Sequence, residues 1–459
     1  MSAKNMENVV NLAKRRGFVY PSSEIYGGLG SVYDYGPLGV QMLRNIRDLW
    51  WQHFIIEKED VIGIESQIFM HPQTWVSSGH VGGFSDPLIE CKKCHNRFRA
   101  DHLINDLDKN IETDGMDKKE MKAVLDKLSA KCPVCKSLSW DEIKDFNTMF
   151  KTSLGATEDN SSVLYLRPET AQGMFVLFKN ILSSTRLKVP FGVAQQGKAF
   201  RNEITTGKFI FRTLEFEQME LQYFIKESDW QNQFERWRKE IEVWYTEILG
   251  LDKKKFLWKP HKKLAHYAKA AEDYTYEFSW GFDEVSGLHY RTDFDLKTHQ
   301  KNSGSDMAYL DPLTGEKFIP HDIESTWGLN RNLLMLLEDA YDESDGQDGR
   351  AVGEITLHLN PKVAPVKVGV FPLVKKERLP EIAQQIVSGL TKEGIASFYD
   401  ESGSIGRRYR RQDEIGTPYC ITVDFDSLED KAITIRDRDT LKQERIKIDE
   451  IGEWLKNKI

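Results

Sequence analysis

Residues 198–224, KAFRNEITTGKFIFRTLEFEQMELQYF, constrain the fold more than any other part of the chain. They read as two strands joined by a short loop at Thr205, Thr206, Gly207 and Lys208. Side chains alternate faces along a strand. Arg201 and Glu203 therefore share a face of the first strand, and Phe216, Gln218 and Glu220 share a face of the second. An arginine, carboxylates and an aromatic ring make a poor hydrophobic core. They make a good floor for a charged ligand with a flat ring: guanidinium to phosphate, carboxylate to amine, phenyl against a base. Taken alone, the stretch reads first as a solvated amphipathic hairpin, and the rest of the chain decides between the two.

The chain has 459 residues, more than the roughly 250–300 at which single cores stop growing, so more than one domain is expected. No apolar run approaches the ~18 residues of a membrane span, and the first residues lack a signal peptide's apolar region. Four of the five cysteines fall in two pairs, which points to metal in a reducing, cytoplasmic setting rather than to disulfides. The net charge of −8 argues against bulk affinity for nucleic acid, which needs basic surface to neutralise phosphates. An RNA partner would have to meet local basic patches. The candidates are the RRYRR run at residues 407–411 and the lysines Lys253, Lys254, Lys255, Lys262 and Lys263.

Along the chain, Leu43, Ile46, Trp50 and Phe54 recur at helical spacing, predicting a helix over residues 40–57. Ile62, Ile64, Ile68 and Met70 then alternate as in a strand, which Pro72 is expected to end. Cys91-Lys-Lys-Cys94 and Cys132-Pro-Val-Cys135 are two CxxC knuckles in an insertion at about residues 88–147. Four thiolates turned onto one ion complete a closed, structural zinc site. The alternative is a pair of reduced turns whose metal site has decayed. His95 and His102 stand as substitute ligands, but a lone histidine near a site is more often solvated. Met121, Val124, Leu125 and Leu128 mark a helix between the knuckles, and the aromatic stripe from Trp230 to Trp244 marks a core helix. After a proline-bearing link at residues 360–365, strands and helices alternate in a unit expected to span residues 361–459. Its strands fall near residues 366–370, 395–399, 419–425 and 432–436, and Cys420 is expected in its core.

Phe200-Arg201-x-Glu203, a loop, then Arg212-x-x-x-Phe216 resembles motif 2 of the class II aminoacyl-tRNA synthetases. The helix, strand and proline before it resemble motif 1, which builds that family's dimer interface. Residues 323–331, IESTWGLNR, resemble motif 3, with Ser325-Thr326 and Asn330 where the family more often has Pro-Ser or Thr-Ser and aspartate. The wording LRPETAQG at residues 166–173 is similar to the glycyl-tRNA synthetases in particular, and SGSIGRRYRRQDEIGTPYC resembles the anticodon-binding domain shared by several class II enzymes.

The resemblance implies an α+β fold. Its parts are an antiparallel-sheet catalytic domain over residues 1–360, flanked by helices and carrying the zinc-knuckle insertion, and a C-terminal α/β anticodon-binding domain. It implies a glycine–tRNA ligase using ATP with Mg2+, acting on glycine and tRNA(Gly) as a homodimer. Arg201 would hold the α-phosphate, Arg212 and Arg331 the γ-phosphate, Glu203 the adenine amine, and Phe216 the adenine face. Glu284 would bind magnesium, although a two-residue offset from the family's Gly-Glu-Leu leaves Asp283 open. Glu169, Gln218, Glu220 and Glu324 would line the glycine pocket, Arg291 would meet the amino acid's carboxylate, and Thr326 would narrow the space beside the α-carbon. Without the resemblance Glu169 reads as a charge at a helix N-terminus, and residues 407–411 as a solvated basic face. The rival functions are a catalytically inactive synthetase-like regulator and an RNA-binding protein without chemistry.

Overall fold

The computed structural model describes residues 6–113, 115–155, 163–204, 207–265, 267–347 and 349–459. Its centre is a seven-stranded sheet: β1 Val61–Gly63, β2 Phe191–Phe200, β3 Glu215–Ile225, β4 Phe256–Pro260, β5 Ala270–Phe278, β6 Gly281–Thr292 and β7 His321–Gly328. In space the order is β4-β5-β6-β7-β3-β2-β1. Every pairing is antiparallel except that of β1 with β2.

Period-two alternation gives this sheet two unlike faces. Met219, Leu221 and Tyr223 of β3, Leu288 and Tyr290 of β6, and Ile323 and Trp327 of β7 enter the main hydrophobic core. Helices α1 Met6–Arg16, α2 Pro37–Trp51, α3 Trp230–Val243 and α4 Leu329–Ala340 cover that face. Trp50, Phe54, Trp237, Trp244 and Trp327 interlock there, with the Phe54 and Trp327 ring centroids 4.5 Å apart. The aromatic stripe is core, as its spacing predicts. The opposite face carries Gln218, Glu220 and Gln222 of β3 and Glu324 and Thr326 of β7, and it forms a floor instead of a core.

Two expectations about strands need correction. The first strand of the hairpin ends at Phe200, so Arg201 and Glu203 lie on the connection that follows it. The Arg201 amide still makes one ladder bond to the Leu214 carbonyl at 2.9 Å, but the Asn202 amide turns away to the Thr148 carbonyl at 2.7 Å. The loop residues Thr205 and Thr206 lie outside the described residues. The strand expected to run to Pro72 is only Val61–Gly63. Ser66 leaves the sheet because its amide and hydroxyl both donate to the Gln195 side-chain oxygen, each at 3.0 Å. Pro72 opens a helix, Pro72–Ser77, where its missing N–H costs nothing.

The insertion has its own small core. A three-stranded sheet of Arg97–Arg99, Ser85–Glu90 and Lys144–Asn147 packs with helices Ala100–Leu107 and Lys118–Lys127 around Ile89, Leu103, Ile104, Met121 and Leu125.

The C-terminal unit is a second sheet of β8 Val368–Pro372, β9 Ser397–Tyr399, β10 Tyr419–Val423, β11 Ala432–Asp437 and β12 Gln443–Lys447, in the order β9-β8-β10-β11-β12. β8 pairs in parallel with β9 and β10, and the remaining pairs are antiparallel. Strand β12 escapes a reading of hydrophobic alternation because only Ile446 in it is buried. Cys420 lies buried in the middle strand, as expected. Among the described residues no helix is long and apolar enough to cross a membrane.

Candidate active site

The polar face of the central sheet is the floor of a cavity, and the cavity gathers residues from five separate stretches of the chain. At its open end three arginines converge. Arg201 donates from Nε to the Pro168 carbonyl at 3.0 Å, and its guanidinium lies 5.3 Å from the Phe216 ring and 5.2 Å from that of Phe84. Arg212 approaches Glu203 at 3.5 Å. Arg331, in the first turn of α4, pairs with Glu284 at 2.9 Å and stacks its guanidinium 4.4 Å from the Phe211 ring. Arg331 also donates to the carbonyls of Phe211 at 3.3 Å and Glu284 at 3.1 Å, so Arg201 and Arg212 are the more loosely held of the three.

The closed end is built differently. Glu169 lies 3.2 Å from His80 Nε2 and accepts from Gln172 at 3.1 Å. Glu220 is bonded by the Thr170 hydroxyl, and the Thr170 amide donates to Glu220 and to Gln218 at 3.2 Å each. Glu324 accepts from Arg291 at 3.0 and 3.2 Å and from Gln222 at 3.1 Å, with His289 Nδ1 3.0 Å away. Arg291 also grips Asp295 as a fork, at 2.8 and 3.0 Å. The Tyr267 ring lies 4.2 Å from the Arg291 guanidinium.

Burial pushes all three carboxyls up, and their neighbours decide the outcome. His80 and Arg291 reverse the effect for Glu169 and hold it down at about 2. Arg291 and His289 hold Glu324 well below the usual carboxylate range. Burial and the charges of Glu324 and Glu169 raise Glu220 well above that range. The neighbours thus favour the ionised form of Glu169 and Glu324 and the protonated form of Glu220.

At the closed end, Thr326 pairs across the sheet with Glu220 and with Gly287. A Cβ at Gly287 would meet the Thr326 hydroxyl at 3.0 Å and the His289 ring at 2.9 Å. A side chain at this position would press on Thr326 and His289, both of which line the cavity.

The structure brings Arg201, Glu203, Arg212, Phe216, Glu284 and Arg331 to one end of this cavity and Glu169, Gln218, Glu220, Arg291, Glu324 and Thr326 to the other. Asp283 does not line it. That residue turns outward to Lys208 and to the Trp280 indole. Sequence reasoning missed His80, Thr170, Gln172, Gln222, His289 and Asp295. Gln222 and His289 continue the alternation of Glu220 and Arg291 by two residues, and Thr170 and Gln172 stand inside the quoted LRPETAQG. For His80 the sequence holds no signal.

Away from the cavity the four knuckle cysteines form one cluster, with Sγ atoms 3.5 Å apart for Cys91 and Cys135 and 3.6 Å for Cys94 and Cys132. His95 pairs with Glu90 and takes no part in it. The basic run in the C-terminal unit differs from its sequence reading. Arg408 is buried, donating to the carbonyls of Pro372 and Leu373, and Arg410 and Arg411 are paired with Glu354 and Asp400.

An antiparallel sheet carrying arginines at one end of a cavity and a carboxylate cluster at the other, followed by a small α/β unit, defines a class II aminoacyl-tRNA synthetase. Residues 150–347 match the family model described as tRNA synthetase class II core domain (G, H, P, S and T), and residues 367–458 match Anticodon binding domain. The chain is 51% identical to the glycine–tRNA ligase of Caldanaerobacter subterraneus subsp. tengcongensis, over 99% of this chain and 98% of that protein. It is 48% identical to that of Chlorobaculum tepidum, over 99% of this chain and 100% of that protein, and 49% identical to that of Alkaliphilus oremlandii, over 99% of each. The chain belongs to the glycine–tRNA ligase family.

Proposed function

We propose that this cavity is the adenylate-forming site of a glycine–tRNA ligase, with phosphate chemistry at the arginine end and glycine held at the glutamate end. The observation that carries the reading is the carboxylate floor, where Glu169, Glu220, Glu324 and Thr326 line one cavity and Gly287 packs directly against Thr326. Such a floor suits an ammonium group on a carbon with no side chain. Glycine's carboxylate attacks the α-phosphorus of ATP in line. The new P–O bond forms as the bond to pyrophosphate breaks, giving glycyl-adenylate. A ribose hydroxyl at the tRNA 3' end then takes the glycyl group and AMP leaves. No protein nucleophile is needed, because a carboxylate is already nucleophilic. The protein's work is positioning and neutralising phosphate charge.

Arg201 is assigned to the α-phosphate, Arg212 and Arg331 to the γ-phosphate, and Phe216 and Glu203 to the adenine. Arg291, expected to meet the substrate carboxylate, is already engaged by Asp295 and Glu324, so its assigned work is to fix Glu324 beneath the ammonium. Family membership implies ATP with Mg2+. Glu284 lines the cavity and its carboxylate is 41% exposed, so it fits magnesium better than Asp283 does. Magnesium would supply further neutralisation of the phosphates. The test is glycine-dependent exchange of pyrophosphate into ATP, run beside the other amino acids. Glycine alone should support it, and equal exchange with alanine or serine would overturn the pocket assignment.

The cysteine cluster fits zinc. Tetrahedral Zn–S bonds of ~2.3 Å place sulfurs about 3.8 Å apart, close to the 3.5 and 3.6 Å observed. Asn96 donates to Cys94 Sγ at 3.2 Å, as a supporting donor to a thiolate would. Zinc there would hold the insertion together and take no part in the reaction. About one zinc per chain is expected in protein purified without added metal, lost in Cys91→Ser. Absence of zinc with all thiols titratable would remove the site.

The division at residues 360 and 361 follows the separate hydrophobic core of the C-terminal sheet, and that unit is assigned to the anticodon of tRNA(Gly). Exposed Ile25, Tyr26, Leu29, Val40 and Ile56, on and near α2, suit a homodimer through that face. Light scattering at twice the chain mass would support the dimer, and a single chain mass would exclude it. The setting assigned is the cytoplasm.

A further inference from the structure

The alternation that sets the glutamates on the cavity floor continues to the edge of the sheet and brings a second cluster onto the same face. His289 of β6 lies between Glu324 of β7 and Ala271 of β5. Asp273 of β5 pairs with Gly287 of β6 and with Lys259 of β4. His261 follows Lys259 by two residues, and its amide bonds to the Ala271 carbonyl at 2.9 Å. Steps of two along neighbouring strands keep all three side chains on one face. One nitrogen from each histidine and one Asp273 oxygen lie within 4.8 Å of one another. His261 Nε2 stands 2.9 Å from Asp273 Oδ1, and those two side chains remain 34% and 27% exposed. The histidine rings are 5.8 Å apart at 78°. His289 turns Nδ1 toward Glu324 at 3.0 Å, which leaves Nε2 for the cluster.

We propose that His261, Asp273 and His289 form a binding site for a divalent transition-metal ion of the zinc class, and that filling it weakens glycine binding through Glu324. Two imidazoles and a carboxylate suit zinc, nickel or copper, whereas magnesium and calcium prefer oxygen ligands alone. Ligands at ~2.0–2.1 Å around a tetrahedral ion lie about 3.3 Å apart, so half-open side chains within 4.8 Å reach it by small rotations. Water completes the fourth position. A carboxylate behind a ligating histidine is the support such sites use, fixing the ring and its tautomer. Here that carboxylate is Glu324. An ion on His289 places positive charge beside Glu324, whose oxygen lies 3.0 Å from that ring, and leaves less negative charge for an ammonium. By linkage, glycine weakens the ion by the same factor. The coupling rests on the assignment of Glu324 to the ammonium, whereas the metal site does not.

The test uses the full chain with its cysteine site already filled with zinc, dialysed to equilibrium against micromolar zinc chloride. The wild-type protein should bind one zinc more per chain than His261→Asn or Asp273→Asn. With Mg2+ present and no zinc added, pyrophosphate exchange should be unchanged in His261→Asn. Added zinc should raise the glycine KM severalfold in the wild type and not in that variant. Equal zinc binding by wild type and both variants overturns the site and leaves the glycine assignment untouched. A second zinc that depends on His261 but leaves the glycine KM unmoved overturns the coupling and leaves the metal site standing.

Discussion

Arg212 and Arg331 leave 33% and 21% of their side chains open to solvent at one end of the cavity, while Arg291 at the other end leaves 4%. The first two stand on a connection and a helix start, each held by one carboxylate. Arg291 stands on a strand and is gripped by two carboxylates and covered by the Tyr267 ring. The same residue type therefore serves two purposes. An arginine with open donors is free to meet phosphate, whereas one with its donors taken fixes the groups around it.

The largest effect expected from this contrast is on stability. Arg291→Ala leaves Asp295 and Glu324 buried and uncompensated, a loss of about 3–5 kcal/mol. Thermal unfolding should show a large drop, and an unchanged transition would mean that the closed end is not held by this network. Arg201→Ala, at the open end, should leave unfolding unchanged and cut glycine-dependent exchange about 10²–10³-fold, or roughly 3–4 kcal/mol in the transition state. Near-normal exchange would remove Arg201 from the phosphate.

Thr326→Val keeps the shape and removes a hydroxyl, with about 0.5–1.5 kcal/mol at stake. The glycine KM should rise severalfold without admitting alanine, and Thr326→Ser should keep glycine activity. An unmoved glycine profile in Thr326→Val takes the residue out of the site.

The smallest effect concerns pH. The proton on Glu220 is held in the folded state above the ordinary carboxylate pKa, owing to burial and to the neighbouring charges of Glu324 and Glu169. The neutral form is the one the fold prefers, so its contribution to stability is present below the ordinary pKa and is lost as pH rises through the raised one. A bound ammonium favours the ionised form, so glycine binding releases a proton. The glycine KM should therefore fall with rising pH, by at most about tenfold per unit, and Glu220→Gln should flatten the slope.

Much of the open end was legible because its residues are close in sequence. Arg201, Glu203, Arg212 and Phe216 fall within one short stretch, and alternation places Phe216, Gln218 and Glu220 together on β3. What escaped depends on contacts far along the chain. Arg201 leaves its strand because Asn202 bonds to Thr148, and the strand after Val61 stops because Ser66 bonds to Gln195. Arg408 sits in a basic run that reads as solvated, yet the carbonyls of Pro372 and Leu373 satisfy it from another strand's end. His80 reaches Glu169 from a helix of four residues that no periodicity marks. Local patterns carry the faces of strands, and long-range bonds decide which residues those faces receive.

The division of labour between the two ends is tested most directly by measuring the KM for glycine and the KM for ATP on one preparation of Glu220→Gln. The account predicts a raised glycine KM with the ATP KM unchanged, since it assigns Glu220 to the ammonium and the arginine end to the phosphates. A shifted ATP KM with glycine unmoved would contradict it.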